Sequence, residues 1–188
     1  LRVGILSYQG DVKEHLLAVE RCGAQAWPVK YAEQLGACDA LIIPGGESTT
    51  IGKLIVRFGL VEPLREFAAA GKPVFGTCAG LILLAKNLVG SDQFRLNLMD
   101  IVVERNAYGR QTESFEAPLE SSVLGAPPLH GVFIRAPKIK SIGKAVEPLA
   151  YYQGQVVFCR QGNLFAATFH PELTADDRVH RYFLGLRK

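Results

Sequence analysis

Short apolar runs alternate with amphipathic stretches through the first half of this 188-residue chain. Strands are predicted over Arg2–Leu6, Gln25–Val29, Ala40–Ile43 and Pro73–Phe75. Between the first two, Asp11–Cys22 reads as a helix, opening with Asp11 and Glu14 in capping-box spacing and stopping at Gly23. Thr49–Phe58 and Glu62–Ala70 read as further helices, the second ended by Gly71, and Ala79–Leu88 as another. Strands alternating with helices in this way predict a parallel sheet covered on both faces.

The second half is richer in strands, predicted at Ile101–Glu104, Ser114–Ala117, Val132–Arg135, Ala145–Tyr152, Val156–Arg160 and Leu164–Phe169. A closing helix is predicted from Ala175 to Leu186, with Thr174 as its N-cap and Asp177 three residues later. No linker, repeat or low-complexity tract interrupts the chain. The expectation is one domain over residues 1–188: a three-layer α/β/α sandwich, mostly parallel at its centre, with an antiparallel extension.

Composition narrows the function classes. Apolar residues make up 48% and charged residues 21%, as in ordinary globular proteins. A net charge of +3, with no lysine–arginine block and no aromatic–basic interleaving, argues against nucleic-acid binding. No run approaches the roughly 18 apolar residues of a membrane span. The opening Val3-Gly4-Ile5-Leu6 reads as a strand rather than a signal peptide. Cys22, Cys38, Cys78 and Cys159 lie far apart, with neither disulfide-framework nor zinc spacing, so free thiols in a reducing, cytoplasmic compartment are expected.

In an open α/β sheet, ligands gather beyond the carboxyl ends of the strands. The turns there are Tyr8-Gln9-Gly10-Asp11, Pro44-Gly45-Gly46-Glu47-Ser48-Thr49-Thr50 and Thr77-Cys78-Ala79-Gly80. Gly76-Thr77-Cys78-Ala79-Gly80 has the G-x-nucleophile-x-G form of a sharp strand-to-helix turn, with cysteine in place of serine. Gly76 and Gly80 meet the turn's need for small neighbours. The start of a helix also favours a thiolate. Taken alone, Cys78 reads as a nucleophile ahead of the plainer reading, a buried structural cysteine beside glycines needed for packing.

His170-Pro171-Glu172 changes that balance. Pro171 forbids a continuing helix and pushes His170 towards extended chain, where residues two apart share a side. Glu172 is thus expected to hold one imidazole nitrogen while the other faces Cys78, a nucleophile, base and orienting acid. Without Cys78 the segment would read as a loop histidine beside a helix-initiating glutamate.

Gly45 and Gly46 allow backbone N–H groups to face a ligand, as a phosphate cradle or an oxyanion hole. The segment lacks the spacing and lysine of a P-loop. Beside a candidate nucleophile, an oxyanion hole around Gly46, completed by the Ala79 N–H, is the better expectation. Ser48 or Thr49 is also expected to cap the helix. Arg105 and Arg135 each follow an apolar run; an arginine fork suits a substrate carboxylate, and a solvated strand end is the plainer reading for either one. His15 and His180 read as helix-surface residues, His130 as a loop residue, and Cys22, Cys38 and Cys159 as inert.

Together, Pro44–Thr50, Phe75–Gly80 and Phe169–Thr174 resemble the class I (triad) glutamine amidotransferases, a flavodoxin-like fold. The narrower resemblance is to the glutaminase subunits of pyridoxal 5′-phosphate synthase. It rests on residues 103–111, Ser114-Phe115-Glu116, residues 132–137, and Gln9-Gly10-Asp11 followed by Glu14-His15. Ser7-Tyr8 and Tyr108 depart from the usual residues of that family.

The resemblance implies a Cys78–His170–Glu172 triad that hydrolyses L-glutamine to glutamate and ammonia. The ammonia would pass to a separate synthase subunit that builds pyridoxal 5′-phosphate, and docking would complete the active site. It implies glutamine contacts from Gly46, Glu47, Ser48, Arg105, Ile134 and Arg135, and partner contacts from Gln9, Gly10 and Asp11. No metal or organic cofactor is expected. A glutaminase serving another acceptor, such as imidazole glycerol phosphate synthase, a free-standing peptide or γ-glutamyl hydrolase, and a non-catalytic assembly subunit are the alternatives.

Overall fold

The computed structural model describes residues 1–106 and 114–186. Its centre is a seven-stranded sheet in the order β10-β11-β12-β4-β3-β1-β2. The strands are β1 (Arg2–Leu6), β2 (Gln25–Val29), β3 (Ala40–Ile43), β4 (Val74–Thr77), β10 (Glu147–Tyr152), β11 (Gln155–Gln161) and β12 (Leu164–Ala167). From β12 to β2 all neighbours are parallel, whereas β11 pairs antiparallel with both β12 and β10. Two smaller sheets flank it. One joins β5 (Ala85–Leu88), β6 (Met99–Glu104) and β9 (Lys138–Ile142); the other is the antiparallel pair β7 (Ser114–Leu119) and β8 (Leu129–Ile134). The expected three-layer α/β/α organisation with an antiparallel extension is present, its outer layers being mixed rather than purely helical.

Side-chain alternation along the buried strands explains the layering. Leu41 and Ile43 face one core, together with helices α3 (Ser48–Arg57), α4 (Val61–Ala69) and α5 (Ala79–Leu84), the short α2 (Ala32–Leu35), and the three-stranded sheet. Ala40 and Ile42 face the other, with α1 (Val12–Arg21), α6 (Arg178–Phe183) and the β7–β8 pair. Phe75, Phe133, Phe158 and Phe169 are fully buried in this second core and stack edge-on or tilted against one another. Phe169 of this core immediately precedes His170.

Several elements differ from expectation. The helix after Cys78 ends at Leu84, and Ala85–Leu88 is a strand instead, because Ala85, Asn87 and Leu88 pair with Met99, Val102 and Val103. Strand β9 was not predicted; its lysines and serine hide the alternation, while Ile139 packs inward. The closing helix is limited to Arg178–Phe183. Thr174 precedes it by a turn, its hydroxyl accepting the Asp176 N–H at 3.2 Å. Asp11 precedes α1 without a side-chain capping bond, so the predicted capping box is absent. His130 lies in β8 rather than a loop, exposed and 2.6 Å from Glu116. None of the helices among the described residues is long and apolar enough to cross a membrane.

Candidate active site

Cys78 stands between the end of β4 and the start of α5, with φ 48° and ψ −98°. A non-glycine residue there is strained, and the surrounding contacts hold it. A Cβ on Gly80 would strike the carbonyl of Ile43, and one on Gly76 would come within 2.5 Å of the Gly80 carbonyl carbon. The turn therefore closes only with glycine at both flanks, as its sequence form implied. The Cys78 N–H donates to the Ala167 carbonyl at 2.8 Å, tying the turn to β12, and the thiol lies 3.8 Å from the Ile134 carbonyl.

β12 ends at Ala167, two residues short of the predicted strand, and the chain continues through Thr168 and Phe169 to His170. The His170 N–H donates to Val132 at 2.8 Å, which fixes the segment to β8. The imidazole lies beside Cys78, close enough for the thiol to raise its pKa, and its Nδ1 lies 2.7 Å from Glu172 Oε1. Cys78, His170 and Glu172 are thus brought together as expected, by a different backbone route. Pro171–Leu173 forms a 3-10 turn rather than extended chain, and this turn folds Glu172 back under the ring.

The electrostatics of the pair follow from its burial. Burial, the largest influence on His170, opposes its charge. Hydrogen bonds with Asp11, Cys78 and Glu172, and the Glu172 charge, outweigh it and push the imidazole pKa up to about 12. Burial pushes the Glu172 carboxyl up, against the lowering effect of its bond to His170. The surroundings of His170 favour its protonated form.

The turn that carries Gly45 and Gly46 lies against His170, Asp11 and Gln9. Gly46 has φ 149°, a conformation glycine adopts readily, and packs beneath Gln9. Ala79 is the first residue of α5, so its N–H has no preceding helical carbonyl to satisfy it. Glu47 sits at the N-cap position of α3 without a side-chain capping bond, and neither Ser48 nor Thr49 caps the helix. Ser48 is buried and hydrogen-bonds with Gln93, while the Thr49 hydroxyl donates to Glu47 at 2.5 Å.

Arg105 donates to Gln93 Oε1 at 2.5 Å, with its other terminal nitrogen 3.6 Å from Glu47 Oε1. Ile134 and Arg135 close the rim at the end of β8, Arg135 at φ 43°. Residues 107–111 of the motif that begins at Val103 lie outside the described residues.

Gln9, Gly10 and Asp11, expected to face a partner, are built into the site. Gln9 Oε1 accepts the Glu47 N–H at 2.7 Å, and the Asp11 N–H donates to the Gly45 carbonyl at 3.0 Å. Asp11 Oδ2 lies 3.2 Å from His170 Nδ1.

Three contributors escaped the sequence reading: Asp11 as a second acid at His170, Gln93 bridging Ser48 and Arg105, and His15 behind Glu172. His15 and His180 are fully buried rather than on the helix surface. The four-residue spacing from Asp11, just before α1, to His15 within it was the available signal. The remaining cysteines, Cys22, Cys38 and Cys159, are buried and free, and burial raises each thiol pKa, that of Cys159 to about 12.

This geometry has known relatives. Residues 5–186 match the SNO glutamine amidotransferase family. A pyridoxal 5′-phosphate synthase subunit of Desulforudis audaxviator is 58% identical over 98% of this chain and 97% of its own length. The corresponding subunit of Geobacillus sp. strain WCH70 is 56% identical over 100% and 97%. A glutamine amidotransferase crystal structure superposes with a TM-score of 0.93 at 51% identity, covering 98% of this chain and 97% of that one. The PurLQS structure from Thermotoga maritima, at 16% identity and a TM-score of 0.75, covering 100% of this chain and 99% of that one, shares the fold. The chain belongs to the SNO glutamine amidotransferase family.

Proposed function

We propose that this chain, as one domain, is the glutaminase subunit of a pyridoxal 5′-phosphate synthase, and that Cys78, His170 and Glu172 are its triad. The observation that carries the reading is the Cys78–His170–Glu172 alignment, with 2.7 Å between His170 Nδ1 and Glu172 Oε1. The full-length similarity to pyridoxal 5′-phosphate synthase subunits supports the choice of acceptor complex. Four free thiols support a cytoplasmic setting.

The Cys78 thiolate attacks the side-chain carboxamide carbon of L-glutamine. N–H groups of the Gly46 segment and of Ala79 stabilise the oxyanion, and losing one such donor costs about 10²–10³ in kcat. His170 gives its proton to the amide nitrogen as the C–N bond breaks, releasing ammonia and leaving a γ-glutamyl thioester. Water then attacks the thioester, His170 takes its proton, and glutamate leaves as the thiolate reforms. Glu172 keeps the imidazole oriented throughout.

Arg105 and Glu47, 3.6 Å apart, are complementary to the α-carboxylate and α-ammonium of the substrate. Ser48, Ile134 and Arg135 complete the pocket. Gln9, Gly10 and Asp11 lie where a docked synthase subunit would act on the oxyanion loop, through the Gln9–Glu47 bond. Ammonia would be protonated in bulk water, so passage across that interface preserves it as a nucleophile.

Supplying amide-labelled glutamine, with excess unlabelled ammonium, to the reconstituted complex tests the reading. Label in the pyridoxal 5′-phosphate ring nitrogen is expected. Unlabelled product would refute the transfer, and turnover with an imidazole glycerol phosphate synthase partner would reassign the acceptor.

A further inference from the structure

The Glu172 carboxylate is fully buried, and only one of its oxygens is satisfied. Oε1 engages His170, whereas Oε2 has no hydrogen-bond partner within ordinary distance. Facing Oε2, 3.5 Å away, is Nε2 of His15 from helix α1. The same nitrogen lies 3.0 Å from the Thr77 hydroxyl, one residue before Cys78. The other His15 nitrogen, Nδ1, lies 3.1 Å from Nε2 of His180 on α6. His180 Nδ1 has no partner. Two helices thus send one buried histidine each into the space behind the triad.

We propose that His15, backed by His180, is a positioning residue that directs an N–H at Glu172 Oε2 and so keeps the carboxylate ready to orient His170. The proposal rests on the triad reading above.

The tautomers follow from the two ends of the chain. If His15 carried its proton on Nδ1, it would donate to His180 Nε2, and His180 Nδ1–H would be a buried donor with no acceptor. His15 would also turn a lone pair towards the Glu172 carboxylate. Both arrangements are costly in a dry interior. With the proton on His15 Nε2, His180 Nε2–H donates to His15 Nδ1, and the orphaned His180 nitrogen is merely an acceptor. His15 Nε2–H then donates to Thr77 Oγ1 at 3.0 Å and turns its positive end towards Glu172 Oε2 at 3.5 Å, and a donor facing the carboxylate favours its ionised form.

Both histidines are held neutral. Burial lowers the His15 pKa well below its usual value, followed by the charges of His180 and His170. Burial lowers that of His180 to about 4, with Asp177 opposing and Arg21 assisting. Glu172 itself is faced by His170, Asp11 and His15.

The test uses the complex with the synthase subunit and compares wild type, Cys78→Ala, His15→Leu and His15→Gln. A glutamine amide reaches the Nε2 position of histidine; leucine has no donor. In His15→Leu, kcat is expected to fall about tenfold, because the buried carboxylate loses the one donor that faces its second oxygen. The acid limb of its kcat/KM profile is expected to move up by about one pH unit, with KM little changed. His15→Gln is expected to recover most of both.

A His15→Leu profile that superimposes on wild type, while Cys78→Ala is inactive, overturns this inference and leaves the triad standing. Activity retained in Cys78→Ala overturns both. Should His15→Leu not fold, imidazole ¹⁵N NMR of the wild-type complex decides. Neutral His15 protonated on Nε2 between about pH 6 and 8 is expected, and an Nδ1–H or charged His15 overturns the proposal.

Discussion

Asp11 Oδ2 and Glu172 Oε1 address the same nitrogen, His170 Nδ1, at 3.2 and 2.7 Å. The shorter contact comes from the fully buried acid, the longer from one whose side chain is 31% exposed. The two acids therefore differ in what removing each should do. Asp11→Asn is expected to lower kcat about tenfold or less, since solvent screens the exposed acid. Glu172→Gln removes the inner acceptor and should lower kcat by roughly 10²–10⁴, the range over which a triad acid matters. Steady-state rates of both variants in the complex check this; equal losses would contradict the assigned order.

His15 and His180 make the fold acid-labile. Their folded pKa values lie below the unfolded value, so their contribution is present above about pH 6.5 and is lost as pH falls through the His180 value of about 4. The His180 shift alone corresponds to about 3 kcal/mol. His170 acts in the opposite sense. Its raised pKa gives stability fully present below about pH 6.5 and lost as pH rises towards about 12. Denaturant unfolding of wild type and His180→Gln at pH 7.5 and 5.0 is the check. The wild type should lose more stability on acidification than the variant.

Gln93 connects Ser48 and Arg105 through both ends of its amide. Gln93→Ala should free the Arg105 fork and raise KM for glutamine by about tenfold, with a smaller change in kcat. A kcat loss at unchanged KM would instead place Gln93 in the chemical step.

Gly80→Ala would drive a methyl group into the Ile43 carbonyl. Overpacking against backbone costs typically 1–3 kcal/mol, which for a chain of this size lowers Tm by about 2–12 °C. Thermal unfolding measures it directly, and an unchanged Tm would show that the turn has room to relax.

What the sequence revealed depended on whether a residue's environment was local. The strands β1 and β3 were legible because burial of nearly every position demands continuous apolar side chains, whereas β2, at the sheet edge and mostly exposed, was marked by its place between the α1 stop at Gly23 and the turn after Val29. The Cys78 turn was legible because its glycines answer a nearby steric need. His15 and His180 were misread because helical periodicity assigns polar residues to solvent, whereas these two hydrogen-bond with each other and His15 also faces Glu172. Asp11 carries the spacing of a helix cap, yet a tertiary partner takes its carboxylate. Gln93 lies in irregular chain between β5 and β6, where no period marks it.

The central claim is that Cys78 performs glutaminase chemistry that a synthase subunit switches on. Glutamate release from glutamine, with and without the pyridoxal 5′-phosphate synthase subunit, for wild type and Cys78→Ala, tests it most directly. Partner-stimulated release that vanishes in Cys78→Ala is the predicted result. Equal release without the partner, or release that survives in Cys78→Ala, would contradict it.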